Sequence, residues 1–166
     1  MSEAKVVHEE VRVTAETPTL FEWMGGREVL LKLMQTFYAK VEKDELLAPM
    51  FAHMSADHPE HVAIWLEEVL GGEARYTAER GGFKGMVSKH RGRSIQPDQR
   101  QRWVSLMMES ADEVNLPSDP EFRSAFAGYI EFGSRRAQAN SQPKAARPKR
   151  ETIKKWGWGE APPGTL

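Results

Sequence analysis

Apolar positions along this chain recur at helical spacings, separated by glycine and proline, and no stretch of alternation demands a sheet. Val29, Leu30, Leu33, Met34, Phe37, Tyr38 and Val41 follow one another at steps of one, three and four and form a single stripe. An apolar cluster, Leu20, Phe21, Trp23 and Met24, precedes it and should end at Gly25 and Gly26. Asp44 and Pro49 close the stripe, and Phe51 follows in a short connection. A second helix opens at Asp57, where Asp57 and Glu60 read as a capping box with Pro59 in the first turn. His58, Val62, Trp65, Leu66 and Val69 share one face of it, and Gly71 and Gly72 end it. Residues 73–82 are polar and turn-like.

Residues 83–91 predict a short helix on which Met86 and His90, four apart, lie on one face, with Gly92 placed to stop it. A longer helix starts at Pro97 and carries Trp103, Leu106, Met107, Ala111 and Val114. Another starts at Pro120 and carries Phe122, Ala125, Phe126, Tyr129, Ile130 and Phe132. The body is therefore all-α. The expected organisation is an arm over 1–17, a helical domain over 18–141 and a tail over 142–166.

The arm holds a short alternating piece, Val6, Val7, Val11 and Val13, compatible with either an unstructured segment or a strand-like flap. The tail turns to Pro, Lys, Arg and Gly and lacks the apolar content for a core of its own. In it Lys144, Arg147, Lys149, Arg150, Lys154 and Lys155 precede Trp156 and Trp158. Such a pattern either docks on a partner or is a solvated charge run whose tryptophans cover an apolar patch of the same protein; the second is the simpler reading.

Composition narrows the classes of function. At 166 residues the chain suits one domain with a real core. Lys and Arg total 23 against 24 Asp and Glu, a formal net charge of −1. That balance creates no field favouring nucleic acid or an anionic membrane as the main partner. With no cysteine, disulfides, thiolate nucleophiles and cysteine-held metals are excluded. No apolar run approaches the ~20 residues needed to span a bilayer. A cytoplasmic protein is expected, as monomer or homodimer.

His90 is the residue whose surroundings most invite chemistry. A lone histidine on a helix is usually a surface or satisfied core residue. This one shares a face with Met86, is crowded by Lys89, Arg91 and Arg93, and sits on a segment too short and glycine-bounded to serve packing alone. A neutral imidazole held against a metal, with cations nearby to meet an anionic ligand, accounts for all three features. Tyr38 and Trp103, taken singly, read as core aromatics whose polar tip finds one partner. His58, taken singly, reads as a wet residue at a helix start.

Together these residues resemble a family. Gly25-Gly26, Phe37-Tyr38, Phe51, the stretch from Trp65 to Gly71-Gly72, Tyr76, Lys89-His90-Arg91 and Trp103 keep an order and spacing similar to those of the group II truncated haemoglobins, over about residues 18–138. The resemblance implies the truncated globin fold, a two-over-two helical sandwich, and a b-type haem. It implies that His90 is the axial iron ligand and that Tyr38 and Trp103 donate hydrogen bonds to a diatomic ligand on the other face. His58 matches a distal position often occupied by a small residue in this group, so a third polar group joins the pocket. Phe51 matches a haem-packing aromatic, Val62 and Trp65 the distal wall, and Met86 packing under the ring. Lys89 or Arg93 would meet a propionate, and Tyr76 is a further cofactor contact. Phe37, Phe51, Val62 and Leu66 would supply apolar walls.

What the resemblance implies for function is binding of O2, NO, CO or peroxide, with an unidentified reductase as partner. A hydrogen bond to a charged acceptor contributes about 1.5–3 kcal/mol, so each donor would slow O2 loss by about one to two powers of ten. Three polar groups suit ligand retention or redox chemistry, such as NO dioxygenation or peroxidase-like turnover, better than bulk oxygen transport. The competing readings are a haem-based sensor acting through its tail, and a globin fold that has lost its haem.

Overall fold

The computed structural model describes residues 17–146 and 152–165, so the valines of the arm and Arg147, Lys149 and Arg150 of the tail lie outside the described residues. Seven α-helices and no strand occur among the described residues. They are α1 (Leu20–Met24), α2 (Arg27–Val41), α3 (His58–Val69), α4 (Arg75–Arg80), α5 (Gly82–His90), α6 (Pro97–Glu113) and α7 (Pro120–Asn140), with a 3-10 turn over Ala48–Phe51. α2 packs on α3, α6 packs on α7, and α2 meets α6, which stacks one helical pair over the other. None of the helices is long and apolar enough to cross a membrane, among the described residues.

The stripes read from sequence are the buried faces. Leu33, Met34, Phe37 and Val41 of α2, Val69 of α3, Met107 and Ala111 of α6 and Phe122 and Phe126 of α7 are fully enclosed. Burying a side chain of this size contributes about 1.5–3 kcal/mol relative to leaving it in water, which fixes the rotation of each helix. α1 begins with a reciprocal cap, Thr19 Oγ1 accepting from the Glu22 N–H at 3.1 Å while the Glu22 carboxylate reaches back. Gly71, at φ +98°, ends α3 so close to α1 that a Cβ there would stand 2.7 Å from Thr19. Only glycine permits both that conformation and that approach.

Three expectations need correction. Asp57 precedes α3 but forms no capping bond; its backbone, at φ −94° and ψ 6°, is not extended, and its carboxylate instead pairs with His61 Nε2 at 3.2 Å. Residues 73–82 are not merely a turn, because α4 forms there with Tyr76 buried. Its polar residues answer two buried carboxylates of α3. Arg75 donates to Glu67 at 3.0 Å, and the Thr77 N–H donates to Glu68 at 2.7 Å. Arg27 completes the set on Glu67 at 2.8 Å. Polarity in this stretch thus reflects buried partners, not solvent. Third, Phe37 is no cavity wall; it is fully buried behind the cavity, edge-on to Tyr38 at 4.8 Å and Trp103 at 5.1 Å.

The tail returns to the helical body. Ile153 is buried, the Trp156 N–H donates to the Val69 carbonyl at 2.8 Å, and its indole N–H to the Ala125 carbonyl at 2.9 Å. The Trp158 indole donates to the Pro18 carbonyl at 2.8 Å and its ring meets Trp23 edge-on at 5.6 Å. Both tryptophans therefore cover an apolar patch of their own protein.

Candidate functional site

A cavity of about 780 Å³ opens between α3, α5, α6 and α7, within the size range of pockets that hold organic cofactors. Of the site residues named from the sequence, all but Phe37 reach its wall: Tyr38 from α2, Phe51 from the 3-10 turn, His58, Val62, Trp65 and Leu66 from α3, Tyr76 from α4, Met86, Lys89 and His90 from α5, Arg93 just beyond it, and Trp103 from α6. Arg91 is not on this wall.

His90 ends α5, where the last turn leaves backbone carbonyls unpaired. Its Nδ1–H donates to the Met86 carbonyl at 2.9 Å. That bond satisfies one carbonyl, fixes the tautomer and leaves Nε2 as a lone-pair donor without a protein partner among the described residues. Burial lowers the His90 pKa, the Met86 bond opposes this, and Arg93 and Lys89 lower it further. The ring is held neutral, the form a metal requires.

Tyr38 is buried, and burial raises its pKa, so its phenol keeps its proton. Its hydroxyl and His58 Nε2 are hydrogen-bonded at 3.1 Å. His58 is half-buried, and its pKa falls to about 4, chiefly through burial and then through His61, Lys89, His90 and Arg93. The Trp103 indole N–H has no hydrogen-bond partner among the described residues although the ring lines the cavity. One neutral donor nitrogen and two or three polar hydrogens therefore share a chamber with the apolar side chains of Phe51, Val62, Leu66 and Met86.

The residues fit a haem, and two atoms carry that test. Tyr76 Oη and Arg80 Nε are buried without a hydrogen-bond partner. A buried donor left unpaired costs about 1–3 kcal/mol, so each marks a place where an acceptor belongs. Lys89 stands beside them with Nζ 5.6 Å from the Tyr76 ring centroid. No Asp or Glu lines the cavity among the described residues, whereas six Lys or Arg do. A flat apolar dianion carrying carboxylates matches apolar walls with cations at the rim.

Sequence reasoning missed several wall residues. Tyr129 is one: it lines the inner wall and accepts at its phenol oxygen, at 2.8 Å, the indole N–H of Trp65, which the resemblance places on the wall. Tyr129, Phe132 and Arg136 sit at i, i+3 and i+7 on α7, a spacing that could have flagged them together. Arg80 and Lys154 carried no local signal; tertiary contacts alone bring them here.

The chain matches the family model of the bacterial-like globins over residues 19–128. It is 30% identical over 110 residues to the group 2 truncated hemoglobin YjbI of Bacillus subtilis, covering 66% of this chain and 81% of that protein. Among solved structures it resembles the group II truncated hemoglobin from Bacillus anthracis, at 25% identity and a TM-score of 0.66, covering 73% of this chain and 90% of that one. It also resembles a truncated oxygen-avid haemoglobin from Bacillus subtilis, at 28% identity and a TM-score of 0.65, covering 72% of this chain and 98% of that one.

Proposed function

Because the chain belongs to the bacterial-like globin family, we propose that it binds b-type haem through His90 Nε2 and holds a diatomic ligand, O2 foremost, beside Tyr38 and Trp103. Haem iron supplies an open coordination position and a one-electron redox change. The observation that carries this reading is the Nδ1–H bond from His90 to the Met86 carbonyl at 2.9 Å, which presents Nε2 as a neutral donor. Tyr76, Arg80, Lys89 and Arg93 would receive a propionate at the α4–α5 edge.

Tyr38 and Trp103 act as hydrogen-bond donors to a ligand that becomes negatively polarised. In the tautomer with hydrogen on Nε2, His58 donates to the Tyr38 oxygen and leaves the phenolic proton free for the cavity. Phe51, Val62 and Leu66 limit water in the chamber, which strengthens those bonds. Retention of O2 by such donors favours its use over its delivery. The reaction we assign is NO + O2 + e− → NO3−, with the electron coming from a separate reductase. Sensing through the tail has less support, since Trp156 and Trp158 are committed to the protein's own surface.

The test is NO consumption by the reduced, O2-equilibrated holoprotein with product analysis. Nitrate formed mole for mole with the NO consumed is expected. NO loss without nitrate would remove the dioxygenase assignment while leaving haem binding intact.

A further inference from the structure

The α7 edge of the cavity carries a charge pattern that the reading above does not use. Arg136 of α7 places its guanidinium carbon 5.2 Å from the Phe83 ring centroid and 5.7 Å from that of Phe132. Lys154 of the tail places Nζ 5.2 Å from the same Phe132 ring. Both side chains line the cavity. Neither is ion-paired with a carboxylate among the described residues; of the six cations on the wall only Arg100 is, through Glu131 at 2.9 Å. Two like charges drawn to one ring repel each other, and a ring face is a weak substitute for a counter-ion.

Lys154 does not arrive there by accident of a loose tail. Ile153 on one side of it is buried, and Trp156 on the other is tied by two hydrogen bonds to Val69 and Ala125. This strap, and Arg136 with it, lie outside the residues that match the family model. Tyr76, Arg80 and Lys89 form a separate group on α4 and α5, so the cavity has cations from two different pairs of elements.

We propose that Arg136 and Lys154 form an anion site at the α7 edge of the cavity, completed by the C-terminal strap, whose ligand is a carboxylate. The carboxylate is either a propionate of the haem or a free small carboxylate entering beside it; only the first source rests on the haem reading. Arg136 lies against Phe83 and Phe132 and Lys154 against Phe132, so the two cations converge on one ring.

The experiment uses the full chain, wild type and Lys154→Gln, with Arg136→Gln as a second variant. Each is loaded with haem or with haem dimethyl ester, and cofactor release to an excess of a scavenging apoglobin is timed. Acetate binding is followed in parallel by NMR shifts of the strap residues. If the anion is a propionate, Lys154→Gln speeds release of native haem about two- to fivefold, as for a partly exposed ion pair, and leaves release of the ester unchanged. If the anion is free, haem release is unchanged but saturable acetate binding is lost in both variants. Wild-type release rates in both variants together with no saturable acetate binding in the wild type would overturn the site. A chain that takes up no haem would sink the haem assignment alone, since the acetate titration still reads this edge.

Discussion

Tyr38 and His58 meet edge to face, ring centroids 4.9 Å apart, with the phenol oxygen and Nε2 joined at 3.1 Å. The contact ties the last turn of α2 to the first residue of α3. It also decides which hydrogen each ring offers the cavity, because a neutral imidazole has one N–H and a phenol one O–H.

Replacing Tyr38 with Phe should speed O2 release from the reduced holoprotein by about ten- to a hundredfold, the size of one hydrogen bond to a charged acceptor. Replacing Trp103 with Phe should speed it by about tenfold on the same scale. Flash photolysis or stopped-flow displacement by CO reads both rates. Unchanged rates in either variant would reduce that ring to a space-filler.

His58 titrates in the fold at about 4, below its ordinary 6.5, so folding favours the neutral ring. The stability this contributes is complete above the unfolded value, declines as pH falls from 6.5 and is gone below about 4. Urea midpoints of wild type and His58→Gln, taken at about pH 7.5 and about pH 4.5, should show a smaller acid loss in the variant. Equal losses would mean that His58 is wetter than its position implies.

Tyr76 gives opposite signs with and without ligand. Its hydroxyl is buried and unpaired, so Tyr76→Phe should stabilise the haem-free protein by about 1 kcal/mol. The same change should speed haem release if that hydroxyl meets a propionate. Denaturation of the haem-free chain and haem transfer from the loaded one separate the two effects.

Trp156 is half-buried against Tyr129 and Phe132 and spends its indole N–H on Ala125. Trp156→Ala should destabilise the fold by about 2 kcal/mol, below the 3–5 of a fully enclosed tryptophan. A loss near zero in chemical denaturation would show the strap to be dispensable for stability.

The helices were legible in the sequence wherever one face is apolar and the other wet. α2, α6 and α7 announce themselves through Leu33, Phe37, Met107, Phe122 and Phe126, whose burial needs no partner beyond another apolar face. α4 was not legible, because Arg75 and Thr77 find carboxylates that α3 keeps inside, and polar residues with buried partners look like loop. The same holds at Asp57, where a carboxylate spacing that predicts a cap was captured by His61. His90 stood out through its neighbours Met86, Lys89, Arg91 and Arg93, whereas Tyr38 and Trp103 were legible only together with it, through their order along the chain. Lys154 was not, since a lysine in a basic tail acquires meaning only when Trp156 and Ile153 pin the backbone on either side.

The most direct test of the central claim is a hemin titration of the purified chain and its His90→Ala variant, followed by reduction under CO. Wild type should take up one haem per chain with a sharp Soret band that shifts on CO binding, while His90→Ala fails to retain haem through gel filtration. An unchanged Soret band in His90→Ala, or no uptake by the wild type, would contradict the assignment of His90 as the iron ligand.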